Sequence, residues 1–107
     1  MSTKRTKSEA VAFLERIAGP LTLGRFIEAI RQGEEWSQTK MGRRLGISRA
    51  HLCDIEKGRR TVSPERAARF ARVLGYSEAQ MVELALQDMI NHAGLRMAVA
   101  VKAGKAA

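Results

Sequence analysis

Apolar residues recur along this chain at intervals of three and four, and most of these runs begin just after a hydroxyl residue able to cap a helix. The pattern predicts a succession of short amphipathic helices. Ser8 can open the first, over residues 9 to 18, with Val11, Leu14 and Ile17 or Ala18 on one face and Gly19-Pro20 ending it. The seven residues before it are polar and basic, have no apolar partner, and read as a flexible arm. Thr22 opens the next helix, whose stripe is Leu23, Ile27 and Ile30 and which Gly33 closes. Ser37 and Ser48 open two shorter helices, over 38–45 and 49–57, with Gly46 between them where the chain leaves a helix with positive φ. Trp36 with Met41, and Ile47 with Leu52, have the spacing of hydrophobic staples that fix the entry angle of each. Beyond the loop at 58–62, Ser63-Pro64 starts a helix that runs to residue 74 before Gly75, with Phe70, Ala71 and Leu74 facing inward.

Ser77 and Gln80 form a capping box that opens a longer helix, to about residue 92. Its apolar positions, Met81, Val82, Leu84, Ala85, Leu86, Met89 and Ile90, spread too far around the helix for one buried stripe. The domain core can cover one face, and a second copy of the chain is the natural cover for the other. After Gly94, Leu95, Met97, Val99 and Val101 alternate with Arg96, Ala98, Ala100 and Lys102, a period of two that fits a short strand, while the alanines fit a frayed helix equally well.

Composition narrows the function. A length of 107 residues suits one domain with a single modest core. With 19 Lys and Arg against 11 Asp and Glu the formal charge is +8, which favours a polyanionic partner, nucleic acid first and an anionic membrane second. Residues 40 to 60 hold seven basic residues against Asp54 and Glu56, so five of those charges lie in one short stretch. Cys53 is the only cysteine, which rules out an intramolecular disulfide and gives it a packing role. No apolar run is long enough for a signal peptide or membrane span, so a cytoplasmic protein is expected. His51 and His92 lie far apart with no ligand spacing to Cys53, and neither a phosphate loop nor a nucleophile elbow is present. An enzyme, a metal centre and a cofactor are therefore not expected.

The pair of capped helices around Gly46 resembles the helix-turn-helix of the phage repressor and Cro-like, or XRE, family. Ser37-Gln38 opens the first motif helix, Gly46-Ile47-Ser48 makes the turn, and Ile55-Glu56 followed by Gly58 closes the recognition helix. Leu23-Gly24 with Ile27, Ile30 and Arg31 looks like the family's first helix, and Ser63-Pro64 through Leu74-Gly75 like its fourth, so the resemblance covers about two-thirds of the chain. It implies an all-α fold: a compact five-helix repressor-like domain, here with an extra N-terminal helix and a C-terminal extension. The expected organisation is a basic arm and helix over 1–20, the DNA-binding domain over 21–92 with its motif at 37–58, and an extension over 93–107 that is a candidate dimer contact.

The first exposed turn of a recognition helix points at base edges, which makes Arg49 and Ala50, with Asp54 one turn on, the expected base readers. Arginine can pair bidentately with guanine, alanine can meet a thymine methyl, and aspartate can accept from cytosine N4. Gln38, Ser48, His51, Lys57, Arg59 and Arg60 are the expected phosphate contacts, Gln38 at a helix N-terminus whose dipole favours the anion. Arg31 and Glu56 match a family pair that forms an internal salt bridge and sets register more than it stabilises. The partner implied is double-stranded DNA, bound by a homodimer. A transcriptional repressor acting alone, an antitoxin that also binds a toxin protein, and a helical interaction module are the readings that follow.

Overall fold

The computed structural model describes residues 21–104, within which five helices follow the five predicted from residue 22 onward. They are α1 (Leu23–Gly33), α2 (Gln38–Leu45), α3 (Arg49–Glu56), α4 (Pro64–Leu74) and α5 (Glu78–His92). The arm and the helix expected over 9 to 18 lie outside the described residues. Each helix begins at a hydroxyl cap: Thr22, Ser37, Ser48, Ser63 and Ser77 all have extended backbone and accept the amide of the residue three positions on. One such bond contributes about 1 kcal/mol and satisfies a donor that the helix itself leaves free. The recognition helix stops one residue earlier than expected, with Lys57 as its C-cap.

The apolar stripes meet in one core, where Leu23, Ile27, Met41, Leu45, Leu52, Ile55, Phe70 and Met81 are fully buried. Trp36 and Ile47, the outer halves of the two staples, pack against it from the rim. Gly46 turns the chain from α2 into α3 at φ 74° and its amide bonds back to Arg43 O and Gly42 O. Crossing of α1 over α3 is closer still, because Gly24 lies against the backbone of Ile55. A Cβ on residue 24 would sit 2.0 Å from Ile55 O.

In α5 Met81 and Ala85 are the residues buried in the core, and Asp88 reaches across to accept the backbone amide of Leu23 at 3.1 Å. Burial pushes the Asp88 carboxyl above its ordinary range, only partly opposed by the Leu23 amide and by His92. A carboxyl raised in this way costs stability once ionised: the contribution of this group to the fold is most favourable below about pH 4 and is lost as pH rises through the raised value. Asp88→Asn keeps an acceptor for Leu23 and removes the charge. Its melting temperature is expected to exceed wild type at pH 7 and to converge with it near pH 3; equal values at pH 7 would contradict this.

Residues 95–104 form neither the strand nor the frayed helix that their pattern permits. They run back along α5, held by its side chains. The Gln87 amide donates to Met97 O at 2.8 Å and accepts from Val99 N at 2.9 Å, while Glu83 accepts from Val101 N at 3.0 Å. Gln87 thus bonds the extended segment as a neighbouring strand would, which accounts for the period of two without a sheet. Val99 and Val101 are half-buried, whereas Leu95 and Met97 stay 49% and 62% exposed. Among the described residues no helix is long and apolar enough to cross a membrane.

Candidate nucleic-acid interface

One side of α3 is committed to the core through Leu52, Ile55 and Glu56, and the 3.6-residue period places Arg49, Ala50, Cys53, Asp54 and Lys57 on the other. Ser48 fixes where this face begins, because its Oγ accepts the His51 amide at 3.0 Å. Arg49 and Ala50 are exposed in the first turn, and Arg49 forms no ion pair with any described residue. Lys57, at the opposite end, is also exposed. The first turn therefore presents a guanidinium without an ion pair among the described residues, beside a side chain that ends at Cβ.

Asp54 is half-exposed, but its carboxylate is already occupied. Arg59 donates Nε to Oδ1 at 3.0 Å, and Arg60 Nη2 lies 3.9 Å from Oδ2. Cys53, expected to pack, is half-exposed on this same face, with Arg59 Nη2 3.8 Å from its sulfur.

The phosphate candidates differ in how far contacts within the domain already hold them. Arg59 and Arg60 are exposed on the loop after Gly58, next to Asp54. His51 is half-buried, and Arg66 Nη1 approaches its Nε2 at 3.3 Å. Desolvation, together with Arg60 and Arg66, holds the imidazole below its ordinary pKa against the opposing pull of Asp54, so it is neutral at pH 7 and brings no charge to a phosphate. Arg66, one turn into α4, was not marked by any local pattern, yet it joins the edge of the site through this contact.

Gln38 lies at the start of α2 but turns inward, where Nε2 donates to Glu56 Oε1 at 3.1 Å. Glu56 is the centre of a buried network. Arg31 donates Nε to Oε2 at 2.8 Å and Nη2 to Oε1 at 3.1 Å, and its Nη1 bonds Trp36 O at 3.0 Å. The Glu56 side chain is only 2% exposed and that of Arg31 15%. This two-pronged pair ties α1 to the end of α3 and, through Trp36 and Gln38, to the start of α2. The hydrogen bond and charge of Glu56 in turn raise the Arg31 pKa, so the guanidinium is charged at every ordinary pH.

Lys40 and Arg44 lie over the Trp36 ring, 5.3 and 4.7 Å from its centroid, and Arg69 caps the end of α2 by donating to Leu45 O at 3.3 Å. Among the described residues no group of three His, Cys, Asp or Glu side chains converges as metal ligands would.

Residues 22–84 match the family described as "Helix-turn-helix domain". The chain is 38% identical over 68 residues to the ImmF control region 10 kDa protein of Bacillus phage phi105, an overlap of 57% of this chain and 76% of that protein. The crystal structure of the hypothetical transcription factor NHTF from Neisseria superposes with a TM-score of 0.51 at 22% identity, covering 66% of this chain and 79% of the other. That second likeness is one of fold.

Proposed function

The chain belongs to the helix-turn-helix domain family of transcriptional regulators, in its phage repressor and Cro-like form, and on that premise we propose that it represses transcription by placing α3 in the DNA major groove as a homodimer. The observation that carries this reading is the outer face of α3, where Arg49 stands exposed, free of ion pairs with the described residues, beside Ala50 at a capped helix start. Arg49 is the proposed guanine reader and Ala50 the proposed thymine-methyl contact. Ser48, Lys57 and Arg60 supply the phosphate contacts around them, joined by Arg66, while Gln38 and His51 contribute mainly by holding Glu56 and Arg66.

Dimerisation follows from the reach of one such helix, which covers only a few base pairs; two copies spaced by about 34 Å read both halves of a site. Repression is supported by the relative named for a phage control region. No feature of the described residues favours the antitoxin reading over it.

The test is duplex binding across a salt series. Affinity is expected to fall steeply with rising salt as phosphate-bound counterions are released, and Arg49→Ala is expected to cost about 1–3 kcal/mol on the preferred site and much less on random duplex. Sedimentation on DNA should give two chains per site. A salt-independent affinity, or equal losses on both duplexes, would defeat the proposal.

A further inference from the structure

The sequence places Arg59 among the phosphate contacts, and the fold sets its guanidinium against Asp54 in a defined orientation. Gly58, at φ 77°, turns the chain back after α3, and the Arg59 amide then donates to Asp54 O at 2.9 Å. This directs the side chain back over the outer face of the recognition helix. There both Nε and Nη2 lie 3.0 Å from Asp54 Oδ1, with Nη2 also 3.8 Å from Cys53 Sγ. Alanine at position 50 and cysteine at 53 keep the middle of that face low, so a long side chain can lie along it.

A guanidinium is a planar fork with five N–H donors. Asp54 accepts Nε, with Nη2 3.0 Å from the same oxygen, and Cys53 Sγ accepts from Nη2 at 3.8 Å. The outer edge, made by Nη1 and Nη2, has the spacing that matches guanine O6 and N7 once the long Nη2–Sγ contact gives way to the base. We propose that Arg59 reads a guanine in the major groove, with Asp54 as the positioning residue that presets its guanidinium. Asp54 then reads no base itself, and its charge near the DNA backbone is offset by the arginine it holds. Pairing also lowers the cost of binding, because an arginine held in one orientation has less rotamer freedom to lose.

This inference rests on the DNA-binding reading above, and one experiment separates the two. Bound duplexes are selected from a random pool with the wild-type chain, Arg59→Lys, Asp54→Ala and the double variant. Lysine keeps the charge and loses the fork. Arg59→Lys is therefore expected to lose a guanine preference of about 5- to 150-fold at one position, while its salt dependence and affinity for random duplex stay near wild type. Asp54→Ala is expected to weaken the preference at that same position, and the double variant to be no worse there than Arg59→Lys alone. Both side chains are partly exposed, so thermal melts should confirm that all variants fold.

Three outcomes overturn the assignment: Arg59→Lys keeping the wild-type preferences, Arg59→Lys losing affinity equally on all sequences, or Asp54→Ala abolishing preference at a different position, as a direct cytosine contact would. A wild-type pool that enriches nothing removes the parent reading, and this assignment with it.

Discussion

Replacing Gly24 with alanine is expected to destabilise the fold by about 3 kcal/mol or more, at the upper end of the usual overpacking cost. The direction is opposite to the helix rule, under which alanine gains about 0.5–1 kcal/mol over glycine inside a helix. At this position the added Cβ would stand 2.0 Å from Ile55 O, 2.9 Å from Ile55 C and 3.1 Å from Glu56 Cα, all of them backbone atoms that cannot swing aside. Either α1 lifts from α3, which opens the core around Leu23 and Ile27, or the end of the recognition helix shifts. For a domain of this size each kcal/mol lowers the melting temperature by roughly 4–8 °C, so a fall of more than about 12 °C is expected. Gly33 is the internal control, since nothing lies within 4 Å of a Cβ there, and Gly33→Ala should be neutral or stabilising. A Gly24→Ala melt within a few degrees of wild type would show that the two helices are not held this closely.

The second large effect lies in the network around Glu56. Glu56→Ala is expected to cost about 3–5 kcal/mol, the range for removing one member of a buried ion pair. It leaves the Arg31 guanidinium largely shielded from water with Trp36 O as its remaining acceptor among the described residues, and deprives the Gln38 amide of its own. Replacing both charges with apolar side chains, Arg31→Met with Glu56→Leu, should recover much of that loss, because the desolvation cost disappears along with the attraction. The full thermodynamic cycle over the two sites measures the coupling. A coupling below about 0.5 kcal/mol would mean that the pair sets orientation without contributing to stability.

Helix positions were legible in the sequence because the signals are local. A serine whose hydroxyl reaches an amide three residues on needs no tertiary information, and neither does a glycine that must adopt positive φ. The Arg31–Glu56 pair is different: its members are 25 residues apart, and no periodicity links them, so only the family resemblance pointed to it. What could not be read depends on where separate elements meet. Glycine at position 24 looks like a weak point in a helix until Ile55 is brought against it. Asp54 looks like a free carboxylate until the turn at Gly58 returns Arg59 to it, and Arg66 carries no mark until α4 sets it beside His51. The alternation over 95–101 is a strand pattern whose partner is not a strand but two side chains of α5, a pairing that no count of apolar positions reveals.

The only tryptophan in the chain is attached to this machinery at two points. Its carbonyl accepts Arg31, the residue that locks α1 to the recognition helix, and its indole ring carries Lys40 and Arg44 on α2. Indole emission responds to nearby charge, and a cation over the ring is held by only about 0.5–1 kcal/mol at an exposed site. Any slip of α1 against the motif, or any phosphate that drew Arg44 off the ring, would alter the light that Trp36 emits. The chain therefore contains its own optical probe at the junction of α1 and α2, and the register of the motif can be followed by fluorescence without attaching a dye.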